Sequence, residues 1–191
     1  MTPAVFLDRD GTVIAETGYL DTLDGLELFP WTVDAIRVLN QAGLLVVLVT
    51  NQAGVARGFF DEAFVAETHR HLLERLAAGG ARLDGCYYCP HHPEAVVEAY
   101  RRTCDCRKPG PGMIRQAARE LGIDLPRSYV VGDRWHDVAA AQAAGARGLL
   151  VRTGHGRFEE SRPVPDVRPA HIADTLIEAA AWILQDQHAR A

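Results

Sequence analysis

Val5-Phe6-Leu7-Asp8-Arg9-Asp10-Gly11-Thr12 opens the chain with a short apolar run that delivers two aspartates, one residue apart, into a glycine turn. A run of this length, with β-branched and aromatic residues and a Gly just beyond it, reads as a buried strand ending in a loop. Asp8 and Asp10 then stand at the strand's carboxyl end, the edge where open parallel α/β sheets bind ligands. Two carboxylates there suit a cation. Taken alone, Asp-x-Asp reads equally well as a solvated Asx turn, so the rest of the sequence has to decide.

Beyond this stretch the chain alternates strand and helix. Gly18 to Pro30 reads as irregular; Thr32 is then placed to cap a helix carrying Ala35, Val38 and Leu39, which Gly43 stops. Leu44 to Thr50 is apolar on both faces, as a central strand of a parallel sheet requires. Asp61 caps a second helix, with Phe64, Val65, Leu72, Leu73 and Leu76 at helical spacing, ended by Gly79-Gly80. A third strand over Gly85 to Cys89 feeds a long loop, and Pro111 suits the first turn of a helix running to Gly122. Tyr129 to Asp133 is a fourth strand, Val138 to Ala144 an Ala-rich helix, and Gly148 to Val151 the last strand. A proline-bearing loop leads to a terminal helix over about residues 172–187. Repeated β-α units predict an α/β fold, a doubly wound, Rossmann-like parallel sheet with helices on both faces.

Composition narrows the function. The 191 residues carry no Pro/Gly/Ser-rich linker, so one domain over 1–191 is expected. With 25 acidic and 20 basic residues, a net charge of -5 and no Lys/Arg block, neither nucleic acid nor an anionic membrane is an expected partner. Small molecules are. Met1-Thr2-Pro3-Ala4 shows no signal-peptide pattern, and the longest apolar run, Leu44 to Val49, is too short to span a bilayer. A cytoplasmic protein with reduced or metal-bound cysteines follows as an expectation, and with no apolar surplus a monomer.

The strand order brings chemistry together. Asp8 and Asp10, Thr50-Asn51 and Asp133 all fall at carboxyl strand ends, hence on one sheet edge. Lys108, in Cys106-Arg107-Lys108-Pro109, precedes the helix leading to the fourth strand, and Pro109 biases it toward an extended conformation aimed at the same edge. These are the parts phosphoryl transfer needs: oxygen ligands for magnesium, a cation and donors for the equatorial oxygens, and an in-line nucleophile.

In order and spacing, Asp8-Arg9-Asp10-Gly11-Thr12, Thr50, Lys108 and Gly132-Asp133 resemble the four motifs of the haloacid-dehalogenase-like phosphatases, over residues 5 to about 151. The resemblance implies that Asp8 is the nucleophile, forming an aspartyl-phosphate, and that Asp10 is the acid and base. Magnesium would be held by Asp8, the Asp10 carbonyl, Asp133 and the Arg134 carbonyl, while Thr50 and Lys108 bind the transferred phosphoryl group. Asp137 has two open readings, an outer carboxylate behind the metal site or a partner for its helix dipole.

Cys89-x-His91, a gap of about a dozen residues, and Cys104-x-Cys106 supply three thiolates and an imidazole, a tetrahedral structural zinc set in a loop over about 89–106. Cys86 also forms a Cys-x-x-Cys pair with Cys89, but on a strand the two point to opposite faces, which makes Cys86 a core residue. His92 is the other candidate for the fourth ligand; the resemblance favours His91. This loop resembles two related groups of the family without a separate cap domain, phosphatases of D-glycero-D-manno-heptose 1,7-bisphosphate and of histidinol phosphate. Gly18-Tyr19, the run Asn51 to Gly58 and Tyr87 to Pro93 look like the heptose group, whereas Arg134 looks like the histidinol group. The heptose resemblance implies a sugar-bisphosphate site made by Asp8, Arg9, Asp10, Glu16, Thr17, Gly18, Tyr19, Thr50, Asn51, Gln52, Ala53, Arg57, Arg107 and Lys108, in a path to activated heptose for surface polysaccharide. Arg107 and Arg57 are the candidates to grip the second phosphate, guanidinium being a fork that fits it.

Overall fold

A computed structural model describes residues 1–190. Six strands, β1 (Ala4–Leu7), β2 (Leu45–Asn51), β3 (Gly85–Cys89), β4 (Tyr129–Gly132), β5 (Arg147–Val151) and β6 (His171–Ala173), form one sheet in the order β3-β2-β1-β4-β5-β6. Every pairing is parallel, with Phe6 opposite Val47 on one side and Val130 on the other. The connections run outward in both directions from β1 and β4, so the switch point lies between the strands that carry Asp8 and Asp133.

The continuous apolar character of β1 has a direct cause: all four of its residues are buried, alternately on two faces. Val5 and Leu7 pack with Val46, Leu48 and Val131 under α1 (Thr32–Gln41), α3 (Glu62–Ala78) and α7 (Leu176–Ala189), through Ile36, Leu39, Leu72, Leu76 and Ile183. Ala4 and Phe6 pack with Val47, Val49 and Val130 under α4 (Gly112–Leu121) and α5 (Trp135–Ala144). Each large side chain so buried contributes about 1.5–3 kcal/mol. Among the described residues, no helix is long and apolar enough to cross a membrane.

Several expected boundaries move. Thr32 is the first helical residue rather than the cap; Trp31 holds that position, and the Thr32 hydroxyl donates to the Val13 carbonyl at 2.7 Å, tying α1 to the loop after β1. Pro111 caps α4 instead of lying within its first turn. A short helix, α2 (Ala53–Arg57), precedes Asp61, which does cap α3 by accepting from the Phe64 amide. Five residues are too few to show a helical period. α5 begins three residues before Val138, because Arg134 and Asp137 close a capping box and the polar His136-Asp137 pair interrupts the apolar pattern. β5 is not the last strand: the segment read as a proline loop contains α6 (Gly156–Glu160) and ends in β6. Ile172 therefore lies in a strand, and α7 starts at Leu176, where Thr175 caps it.

Candidate active site

Asp8 follows β1 directly, its amide continuing the ladder to the Val131 carbonyl at 2.9 Å, and its side chain lies at the floor of the carboxyl edge. Its Oδ1 accepts from the Arg9 amide at 2.8 Å and pairs with Lys108 Nζ at 2.9 Å. Lys108 is buried, and its ammonium also meets Asp137 Oδ1 at 2.6 Å and donates to the Val49 carbonyl at 2.8 Å. A loop residue reaches so deep because the Asn51 amide, at the end of β2, bonds both the Lys108 N–H, at 3.0 Å, and its carbonyl, at 3.1 Å. The Lys108–Pro109 peptide is cis.

Burial works against the Lys108 charge, yet Asp137 and Asp8 more than offset it and hold the ammonium protonated. Burial raises Asp8 to about 7, with Lys108 opposing and the neighbouring carboxylates reinforcing. Asp133 is likewise pushed up to about 8 by burial and then by Asp8 and Asp137. Its Oδ2 accepts the His155 amide at 2.8 Å, while its buried Oδ1 has no partner. A Cβ on Gly11 or on Gly154 would stand 2.2 or 2.3 Å from Asp133 Oδ2, so both positions exclude side chains around it. Buried carboxylates that raise one another, one with an orphaned oxygen, fit a hard divalent cation on oxygen ligands. Asp137 pairs with Lys108 and caps α5 through the Arg134 amide at 3.1 Å.

Asp10 sits at the cavity wall beside Arg9 and Gln52. Arg9 Nε lies 3.2 Å from each Asp10 oxygen, and Gln52 Nε2 donates to Asp10 Oδ2 at 3.0 Å and to Thr50 Oγ1 at 2.8 Å. The side chains of Arg9 and Gln52 are thus engaged with each other and with Asp10, at 2.9 Å between Arg9 Nη2 and Gln52 Oε1.

A cavity of about 450 Å³ opens over this floor, and Asp8, Arg9, Asp10, Glu16, Gly18, Tyr19, Thr50, Asn51, Gln52, Ala53, Arg107 and Arg134 all line it. Lys108 and Asp133 lie beneath. Thr17 is not brought to the wall, and Arg57 lies outside it, its guanidinium 5.7 Å from the centre of the Tyr19 ring. Five lining residues escaped the sequence reading: Leu20, Gly54, Phe60, His136 and His155. His155 follows β5, whose carboxyl end shares the catalytic edge. That position was the available signal, hidden because the following segment read as a loop.

Next to the cavity, Cys106 Sγ lies 3.1 Å from the sulfurs of both Cys89 and Cys104, which are 3.5 Å apart. His91 Nδ1 is 3.3 Å from Cys106 Sγ and 3.7 Å from Cys89 Sγ. Tetrahedral zinc with bonds of about 2.3 Å to sulfur has ligand–ligand edges of roughly 3.8 Å, so four such atoms already clustered fit that ion. Cys86 packs on the opposite face of β3, against the core under α1 and α3, and burial pushes its thiol up to about 11. Arg107 joins the two sites: it lines the cavity and donates to the His91 carbonyl at 3.3 Å.

The HAD-hydrolase-like family model matches residues 105–179. The D-glycero-β-D-manno-heptose-1,7-bisphosphate 7-phosphatase of Escherichia coli K12 is 48% identical over 173 residues, 90% of this chain and 91% of that protein. The enzyme of the same name from Photorhabdus laumondii is 47% identical over 174 residues, 90% and 92% of the two chains. A solved structure of D,D-heptose 1,7-bisphosphate phosphatase from B. bronchiseptica, complexed with magnesium and phosphate, superposes with a TM-score of 0.86 at 36% identity, covering 97% of this chain and 99% of that one.

Proposed function

Because this chain belongs to the haloacid-dehalogenase-like hydrolases, and within them to the D-glycero-β-D-manno-heptose-1,7-bisphosphate 7-phosphatases, we propose that it removes the 7-phosphate of that sugar bisphosphate, in its β anomer, to leave heptose 1-phosphate. The observation that carries this reading is the meeting of Asp8, Lys108 and Asp133 at the floor of a cavity whose wall includes Asp10 and Arg107.

An Asp8 carboxylate oxygen attacks phosphorus and forms the aspartyl-phosphate as the bond to the sugar O7 breaks. Lys108 and the Thr50 hydroxyl take the oxygens of the moving phosphoryl group, Lys108 from a position already fixed by Asp137 and Asn51. Asp10 gives a proton to the leaving alkoxide and then receives one from the water that opens the aspartyl-phosphate. Magnesium held by Asp8, the Asp10 carbonyl, Asp133 and the Arg134 carbonyl would neutralise charge on the phosphoryl oxygens. Arg107 holds the distal phosphate, and Arg57, lying across Tyr19, adds charge at the rim. The zinc set anchors the loop that ends in Arg107-Lys108. The product suits nucleotide-activated heptose for surface polysaccharide, made by a monomeric, single-domain enzyme in the cytoplasm.

The test compares kcat/KM for both anomers of the heptose bisphosphate, histidinol phosphate and fructose 1,6-bisphosphate in the presence of magnesium. A preference of at least a hundredfold for the β anomer, about 2.7 kcal/mol, supports the reading. Faster turnover of histidinol phosphate overturns the substrate and the roles of Arg107 and Arg57.

A further inference from the structure

Arg9 and Gln52 line the site, have no place in the steps above, and direct their side chains at one catalytic group. Arg9 is 3% exposed and Gln52 equally buried, so neither offers a substrate a free charge or a free amide. What they do meet is Asp10. Arg9 Nε lies 3.2 Å from both of its oxygens and Nη2 3.1 Å from Oδ1, while Gln52 Nε2 donates to Oδ2 at 3.0 Å. Chemistry fixes the Gln52 amide: the guanidinium at 2.9 Å must face oxygen, and the carboxylate must face N–H. The same N–H2 donates to Thr50 Oγ1 at 2.8 Å, which makes that hydroxyl an acceptor there and turns its own hydrogen away, free for a phosphoryl oxygen.

We infer that Arg9 and Gln52 are positioning residues for proton transfer, a two-sided clamp that fixes the plane of the Asp10 carboxyl at the cavity wall. Rotating that carboxyl away from the cavity would break contacts on both of its oxygens at once. In the step served by the clamp, the O–P bond from Asp8 forms, the P–O bond to the leaving group breaks, and the Asp10 proton moves to the departing oxygen, leaving a carboxylate. Water oxygen then attacks phosphorus, the bond to Asp8 opens, and the water proton goes to Asp10. The inference rests on the phosphatase reading with Asp10 as acid, and on no particular sugar.

Leaving-group chemistry separates a positioning role from substrate binding and from mere structural support. An aryl phosphate departs without a proton, whereas an alkyl phosphate needs one. Because kcat/KM reports only the steps through phosphorylation of Asp8, it is measured for p-nitrophenyl phosphate and 2-phenylethyl phosphate with Asp10→Asn, Gln52→Ala and Arg9→Lys, each checked for bound zinc and thermal midpoint. Asp10→Asn is expected to lose at least a hundredfold more on the alkyl than on the aryl substrate. Gln52→Ala and Arg9→Lys are expected to repeat that selectivity, with an alkyl-specific loss of tenfold or more. Equal losses on both substrates, or no loss, in Gln52→Ala overturn the clamp even where Arg9→Lys fails to fold. If Asp10→Asn itself shows no selectivity, the acid role falls and the clamp falls with it; heptose failing as substrate leaves this result unchanged.

Discussion

Replacing Lys108 with Met keeps the length of the side chain and its apolar stem but removes an ammonium that meets Asp8 at 2.9 Å, Asp137 at 2.6 Å and the Val49 carbonyl at 2.8 Å. Two buried carboxylates then lose their cation, and breaking a buried pair of this kind costs about 3–5 kcal/mol, a large part of the ~5–15 kcal/mol that holds a domain folded. Lys108→Met also loses turnover. The pH dependence carries its own sign. With Lys108 present, Asp137 is held below its ordinary value against its burial, and its contribution persists above pH 4. Without Lys108, burial raises Asp137 above its unfolded value and takes Asp8 further above the value of about 7 it already has, and an acid raised in this way destabilises at every pH above its unfolded value, more so as pH rises toward its folded value. Urea unfolding followed by tryptophan fluorescence, with zinc bound and no magnesium added, should show the 3–5 kcal/mol loss at pH 8. At pH 5 the loss should shrink by at least ~1 kcal/mol. A loss below ~1 kcal/mol, or one that does not change between the two pH values, would refute the assignment of Lys108 as the counter-charge of the site.

Gly11→Ala adds about 1–2 kcal/mol of strain at φ +79° and drives a Cβ against Asp133, so its magnesium requirement should rise and its kcat fall at least tenfold; unchanged magnesium titration would argue against the cation site. Cys106→Ser and His91→Ala should each lose the zinc found by metal analysis, about one ion per chain, whereas Cys86→Ala should keep it. Retention in His91→Ala would move the fourth ligand elsewhere. His69 is pushed down to about 4, chiefly by burial, and so stays neutral in the folded state. Its contribution is complete above pH 6.5 and lost as pH falls toward 4, about 1.3 kcal/mol between pH 7.5 and 5.5. His69→Phe should flatten that part of the pH–stability curve, and an unchanged slope would place the titration in another group.

The catalytic edge was legible because its signals are local: apolar runs mark β1, β2 and β4, and a strand's direction alone fixes which side its last polar residue occupies. The gathering of Cys89, His91, Cys104 and Cys106 was legible from ligand chemistry and spacing. The roles of Arg9 and Gln52 were not, since whether a long polar side chain points into a cavity or folds back on a neighbour depends on contacts 43 residues apart in sequence. β6 was missed for a related reason. Three residues at a sheet edge bury one side chain between them, so no alternation develops, and only pairing with Leu149 to Val151 makes them a strand. His136 and His155 entered the cavity unannounced because α5 begins earlier, and β5 is followed by more structure, than their polar sequence implies.

The place of β1 in the sheet has a consequence for how the chain is made. The strand leading into Asp8 is synthesised first, yet one of its two neighbours is β4, and the Ala4 amide waits for a Ser128 hydroxyl 124 residues further on. At about 5–20 residues per second, the ribosome needs roughly 6–25 s to supply that partner. Through that interval the growing chain carries one unpaired edge of a wholly apolar strand, a template for pairing with other chains. The time that edge stays open is set by how fast the ribosome covers those 124 residues and not by the stability of the finished sheet.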